Sequence, residues 1–260
     1  MIRFFFLFLI IIISCTPLRE PPKNYIYNQK LVIPVIIHVY KFKSPIVINN
    51  KTMSNNLNDI KIKLIEEKIN SYWKKANIVF SLKFNEVIVP EKKKKFYKNN
   101  VEKFPILIPY LNLVPLAAIG SLVDKSKMDK KNIHVNILPI GPRGLAGYVP
   151  AWDLNKIYIG YWQFDTNKNY YIYYEIEDMA WLISHELGHS IGLGHKKGTL
   201  MSENWETGLN KDQIYTARMF LKRKYNFKTY IEPIQKKKYV KPVIKKNNMK
   251  KTLMKKLFNL

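Results

Sequence analysis

The sequence predicts an α+β domain built on a mostly parallel, twisted five-stranded sheet. Three observations lead there. Runs rich in β-branched residues at 31–40, 78–89, 133–140 and 156–161 are bounded by polar or turn residues, as buried strands are. A segment of helical periodicity, 58–76, separates the first two, and strand, helix, strand in that order suits a right-handed parallel crossover. Two further helices, 176–193 and 210–224, follow the last strand. At 260 residues, with 47% of them hydrophobic, the chain can supply one sizeable core plus appendages.

Each element has its own signal. The first strand ends near Tyr40 and carries His38. The helix over 58–76 places Ile62, Ile65, Ile69 and Trp73 on one stripe, with Ile60 and Leu64 expected to widen it. Residues 90–131 begin with the lysine run 92–95 and continue through an apolar stretch broken by Pro105, Pro109 and Pro115, which reads as a surface insertion. The strand over 133–140 carries His134, and each of the two strand histidines reads as a packed core or surface residue rather than a ligand. Gly141 to Gly144 is a turn, and Leu145 to Pro150 a short fifth run. Residues 162–174 read as an aromatic-rich loop. Asn210 caps the last helix, with Ile214, Ala217, Met219 and Phe220 as packing candidates. From Tyr225 to Leu260 the composition shifts to lysine and asparagine, a basic tail.

The N-terminus reads as an export signal. Arg3 is followed by a short apolar run to Ile13, too short to span a bilayer as a finished helix. Ile12-Ile13-Ser14-Cys15 resembles a bacterial lipobox, which implies cleavage before Cys15 and lipidation of its thiol. Residues 1–14 are then the signal peptide, 15–30 a proline-containing tether, 31–224 the folded domain and 225–260 the tail. Cys15 is the one cysteine of the chain, so an intramolecular disulfide is excluded. The expected location is the bacterial cell envelope, lipid-anchored at the outer membrane or cell surface rather than freely secreted.

The chemistry is concentrated in HELGHSIGLGH, His185 to His195. Two histidines four apart share one face of a helix and can share a metal ion, here His185 and His189. Glu186 stands next to the first ligand, where a general base can reach the water of a metal site. Gly192 and Gly194 allow the helix to end and the chain to turn, which can return His195 as a third ligand. Three protein ligands leave a fourth position open, the arrangement of a catalytic zinc rather than a structural one. Of five histidines only His38 and His134 lie outside the motif.

HExxHxxGxxH is the signature of the metzincin clan of zinc metallopeptidases, and this chain resembles that clan. Gly198-Thr199-Leu200-Met201-Ser202 is similar to the clan's methionine turn, with Met201 as the methionine beneath the metal. The wording of the motif is closest to the matrixins and their bacterial relatives. The residue after the third histidine is Lys196, position 203 is Glu203 where some branches place a tyrosine, and a second histidine cluster is absent. The resemblance implies one catalytic Zn²⁺, an active-site helix, a C-terminal helix, and an antiparallel edge strand above the cleft with which substrate pairs. Gly144, Leu145, Ala146, Gly147 and Tyr148 are the candidates for that edge, and Ser202 to Leu209 for the wall beyond the cleaved bond. The implied activity is peptide hydrolysis by a zinc-activated water with Glu186 as general base. The alternative is a non-catalytic, zinc-containing envelope lipoprotein acting in adhesion or binding. The partners expected are a protein or peptide substrate and a membrane reached through the lipid on Cys15, with the oligomeric state left open. The formal charge of +25 could suggest nucleic acid, but no recognition motif accompanies it, and an exported basic surface suits anionic envelope components.

Overall fold

The fold is a mixed sheet with helices, seen in a computed structural model that describes residues 29–48, 50–101, 122–123, 128–141, 146–150, 153–165 and 170–225. Cys15, Gly144 and Leu145, the tether up to residue 28 and the tail beyond Tyr225 lie outside the described residues. In chain order the elements are β1 (Leu31–Phe42), β2 (Ile46–Ile48), β3 (Lys51–Met53), α1 (Asp59–Trp73), β4 (Ile78–Val89), α2 (Glu91–Val101), β5 (Ile133–Ile140), β6 (Gly147–Tyr148), β7 (Lys156–Asp165), β8 (Tyr170–Tyr173), α3 (Ile176–Ser190) and α4 (Lys211–Lys224). None of the described helices is long and apolar enough to cross a membrane.

The sheet has six strands rather than five. Its order is β4-β1-β5-β7-β6, with β8 also on β7. The β1–β4, β1–β5 and β5–β7 pairs are parallel, while β6 and β8 run antiparallel to β7. The extra strand corrects the loop expected over 162–174. Trp162 to Asp165 prolong β7, and Trp162 then pairs with Tyr173 and Asp165 with Tyr170. Aromatic residues at close spacing suit a pleated, half-buried surface, and that preference prevails over the lack of a clean alternation.

One face of the sheet buries Ile33, Val35, Ile37, Ile137 and Ile159 against α1 and α3. Asn58 caps α1 by accepting from the Lys61 amide, and Ile62, Ile65, Ile69 and Trp73 are its buried stripe. Ile60 and Leu64 do not widen that stripe, being 70% and 46% exposed. On α4 a full capping box forms between Asn210 and Gln213. Met219 and Phe220 are only half-buried there, and Leu221 and Arg218 take the buried positions instead. The Arg218 guanidinium donates to the carbonyls of Ala76 and Gln29, each at 2.8 Å. This ties α4 to the end of the α1 segment and to the start of β1. Tyr225, the first residue of the compositional tail, is buried in the same core.

The opposite face carries a smaller cluster that includes Tyr40, Leu138, Ile140 and Phe164. The lysine-rich start of the 90–131 insertion is a helix, and its Tyr97 is fully buried, donating its hydroxyl to the Ile140 carbonyl. The described start of the insertion is thus a short, mostly exposed helix, anchored to the sheet through Tyr97.

His38 and His134 are both buried, and they pair with each other. Their rings stack at 5.2 Å across the β1–β5 pair. One neutral tautomer for each ring satisfies every nitrogen. Asn85 donates to His38 Nδ1 (2.8 Å), His38 Nε2–H donates to His134 Nδ1 (2.9 Å), and His134 Nε2–H donates to the Asp129 carbonyl (3.0 Å). Burial, with the adjacent His134, lowers His38 from 6.5 to about 4. Burial also lowers His134, while Asp129 and Asp153 oppose that shift and Lys156 adds to it. Between pH 6.5 and about 4 the unfolded chain holds protons that these rings refuse, so stability falls as pH drops through that window. The double variant His38→Leu/His134→Leu should show a shallower loss of urea unfolding free energy between those pH values than the wild type. An unchanged slope would show that the pair does not contribute.

Candidate metal centre

The helix α3 carries the motif into the core. Eleven of its fifteen residues are buried, among them His185 and Glu186. It ends in a Schellman turn: the Gly192 amide donates to the His189 carbonyl (3.0 Å) and the Leu193 amide to the Gly188 carbonyl (2.9 Å). Gly192 has φ +87, so glycine is required there. Gly194 is not in the left-handed region, and a side chain there would meet open space, so the turn depends on the first glycine alone.

That turn brings the three histidines together. The Nε2 of His189 lies 3.1 Å from the Nε2 of His185 and 3.1 Å from the Nε2 of His195. One ligand atom from each residue falls within a sphere of mutual distances of 4.8 Å. Two nitrogens at zinc-bond length with a tetrahedral angle between them would be about 3.3 Å apart. The donor set therefore fits a tetrahedral ion such as zinc.

Backbone carbonyls fix the tautomers. His185 Nδ1–H donates to Leu200 (3.0 Å) and His189 Nδ1–H to Leu193 (2.8 Å). Each Nε2 lone pair is thereby left for a cation, and a hydrogen bond on the far nitrogen makes the ligand more basic. Burial holds both rings neutral, lowering His185 to about 4 and His189 in the same direction. His195 is exposed and forms the open side of the group.

The Leu200 carbonyl is supplied by the methionine turn. The Lys196 amide donates to the Met201 carbonyl (3.0 Å), and the Leu200 amide to the Gly208 carbonyl (2.7 Å). Met201 is fully buried, with its sulfur against Gly188, where an added methyl group would come within 2.2 Å of Sδ. Trp181, one turn before His185, packs on that ring at 5.1 Å and on Trp205 at 4.4 Å. Trp205 lies in the 202–209 segment and has φ +57, an uncommon backbone conformation for a bulky residue.

Glu186 is buried, and burial alone raises its carboxyl from 4.5 to about 8. The edge strand β6 lies directly on it. A Cβ on Gly147 would fall 2.3 Å from Glu186 Oε1, so the absence of a side chain at Gly147 lets the strand and the carboxyl meet. Ala146 and Tyr148 flank that contact, with Gly147 opposite Ile159 and Tyr148 opposite Tyr158. Sequence reasoning did not identify the carbonyls of Leu193 and Leu200 or the role of Trp181. Backbone acceptors leave no mark in residue identity, whereas Trp181 could have been placed by its i, i+4 spacing from His185.

No family model and no curated protein matches this chain. Among solved structures it is similar to archaemetzincin from Methanopyrus kandleri, with a TM-score of 0.42 and 14% identity over 74% of this chain and 96% of that one. That degree of likeness assigns no activity, and the chemistry stands on the side chains described above.

Purified chain should carry one zinc per molecule, and His185→Ala, His189→Ala and His195→Ala should each lose most of it while retaining helical content. Full zinc in all three variants, read by elemental analysis, would remove the triad as the metal site.

Proposed function

We propose that the chain is a zinc-dependent endopeptidase of the metzincin clan, closest in its motif to the matrixins. The observation that supports this best is the convergence of three imidazole Nε2 atoms, two of them with carbonyl-anchored Nδ1 protons, beside a buried carboxyl. Structural zinc sites use four protein ligands, whereas three ligands with an open side suit catalysis. When bound, zinc supplies a Lewis acid that lowers the pKa of a water to about 7 and polarises a peptide carbonyl.

The remaining tasks fall to the chain. An extended peptide adds antiparallel to the edge of β6 that no described strand pairs, its backbone groups bonding to those of Gly147 and Tyr148. This places its backbone over Glu186, against which Gly147 rests. A divalent cation held by His185, His189 and His195 would favour the ionised form of Glu186, offsetting the burial that otherwise raises its carboxyl. As a carboxylate, Glu186 accepts a proton from the attacking water at Oε and then donates it to the leaving amine nitrogen. Met201 touches Gly188 from below and supports the helix without acting as a ligand.

Glu186→Gln keeps the shape of the side chain and cannot accept the proton. It should retain zinc and fold, and peptide hydrolysis should fall by at least about 10²-fold, the lower range for removal of a general base. A chelator should abolish wild-type cleavage, and added zinc should restore it. Equal rates for Glu186→Gln and wild type would rule out Glu186 as base. A wild type that holds zinc but cleaves nothing in a broad peptide library would instead favour the adhesion or binding reading.

A further inference from the structure

A cavity of about 300 Å³ opens beside the N-terminal end of α3, away from the histidines. Its walls are the rings of Tyr161, Tyr173 and Tyr174, closed by Leu57 and Ile176. We propose that this cavity is a substrate subsite for an aromatic side chain three to five residues to the C-terminal side of the scissile bond. The proposal rests on the peptidase reading and extends it to substrate preference.

Direction comes from the strands. Because β6 is antiparallel to β7, a peptide lying antiparallel to β6 runs with β7, from Lys156 toward Asp165. The same edge continues beyond β6. The Gly160 amide bonds to Ala146 (3.4 Å), and one residue further the Tyr174 amide bonds to Tyr161 (3.1 Å). Residues after the cleaved bond are thus led past Ala146 to Tyr174 and the cavity.

Distance comes from the helix. Glu186 and Ile176 are ten residues apart on α3, which at 1.5 Å per residue is about 15 Å. An extended chain covers that in four to five residues at about 3.3 Å each, and the breadth of the cavity admits one position nearer.

Continuity comes from the rings. From His185 the contacts run to Trp181 (5.1 Å), to Trp205 (4.4 Å) and to Tyr174 (6.0 Å), which lines the cavity. Tyr161 and Tyr173 face each other at 6.3 Å. The metal centre and the cavity therefore share one aromatic surface.

Chemistry and size select the occupant. The volume lies at the small end of ligand pockets, about 300–1,000 Å³, and suits one side chain better than a larger molecule. Glu175, Glu177 and Lys61 also line it, but Glu177 is paired with Lys68 at 2.7 Å. One carboxylate and one ammonium remain, which gives no preference for a charged guest. Three tyrosines in the lining favour an aromatic guest through offset or edge contacts.

The test uses the full zinc-loaded chain and synthetic peptides that share one cleavable core. The third, fourth or fifth residue after the scissile bond is phenylalanine in one set and alanine in the other. At one of these positions phenylalanine should raise kcat/KM about tenfold in the wild type, and Tyr173→Ala should bring that ratio close to one. Tyr173 is 48% exposed, so the substitution does not threaten the core. Equal rates for both sets at all three positions, or a ratio that survives Tyr173→Ala, would overturn the proposal. If no peptide is cleaved, the peptidase reading fails separately, and calorimetric binding of the same peptides still decides the cavity. Tighter binding of the phenylalanine peptide, lost in Tyr173→Ala, upholds the cavity as an aromatic site, and equal binding removes it.

Discussion

The candidate metal centre depends on two hydrogen bonds from imidazole to main chain. His185 and His189 are useful to a cation only if neutral and only if Nε2 faces inward, and the carbonyls of Leu200 and Leu193 enforce the orientation. Both carbonyls belong to irregular chain whose position must be fixed by other means. The Schellman turn at Gly192 fixes Leu193. The closed loop from Lys196 to Met201, tied down again at Gly208, fixes Leu200. The burial of Met201 against Gly188 joins these two devices, because a larger residue at 188 would push the methionine turn, and Leu200 with it, off the helix.

A second close approach links the sheet to the same helix. Gly147 lets the edge strand rest on Glu186, so the strand and the buried carboxyl are set at one fixed separation. The large parallel core beneath, with β5 buried along its whole length, supplies the rigidity both contacts need. Among its buried polar residues, the His38–His134 pair is tolerated because every ring nitrogen has a partner.

Much of this was legible in the sequence, for reasons that differ from element to element. The strand 78–89 and the helix 211–224 were bounded correctly because their signals are local: a run rich in β-branched residues and a cap at Asn210. The triad was legible because ligand spacing on a helix is itself a local signal. The β7–β8 hairpin was not, since Tyr170 to Tyr173 becomes a strand only by pairing with Trp162 to Asp165. The histidine pair joins residues 96 apart in sequence and leaves no trace in either strand alone. The exposure of Ile60 and Leu64 was also hidden, because periodicity defines a stripe and tertiary packing decides its width.

The proposed function requires a tetrahedral zinc held by three imidazoles with one position open. X-ray absorption at the zinc edge of the purified full-length chain reads that coordination directly. A first shell of four nitrogen or oxygen atoms at about 2.0–2.2 Å, with outer-shell scattering from three imidazoles and no sulfur, is expected. A sulfur at about 2.3 Å, or a closed shell of four protein ligands, would contradict it.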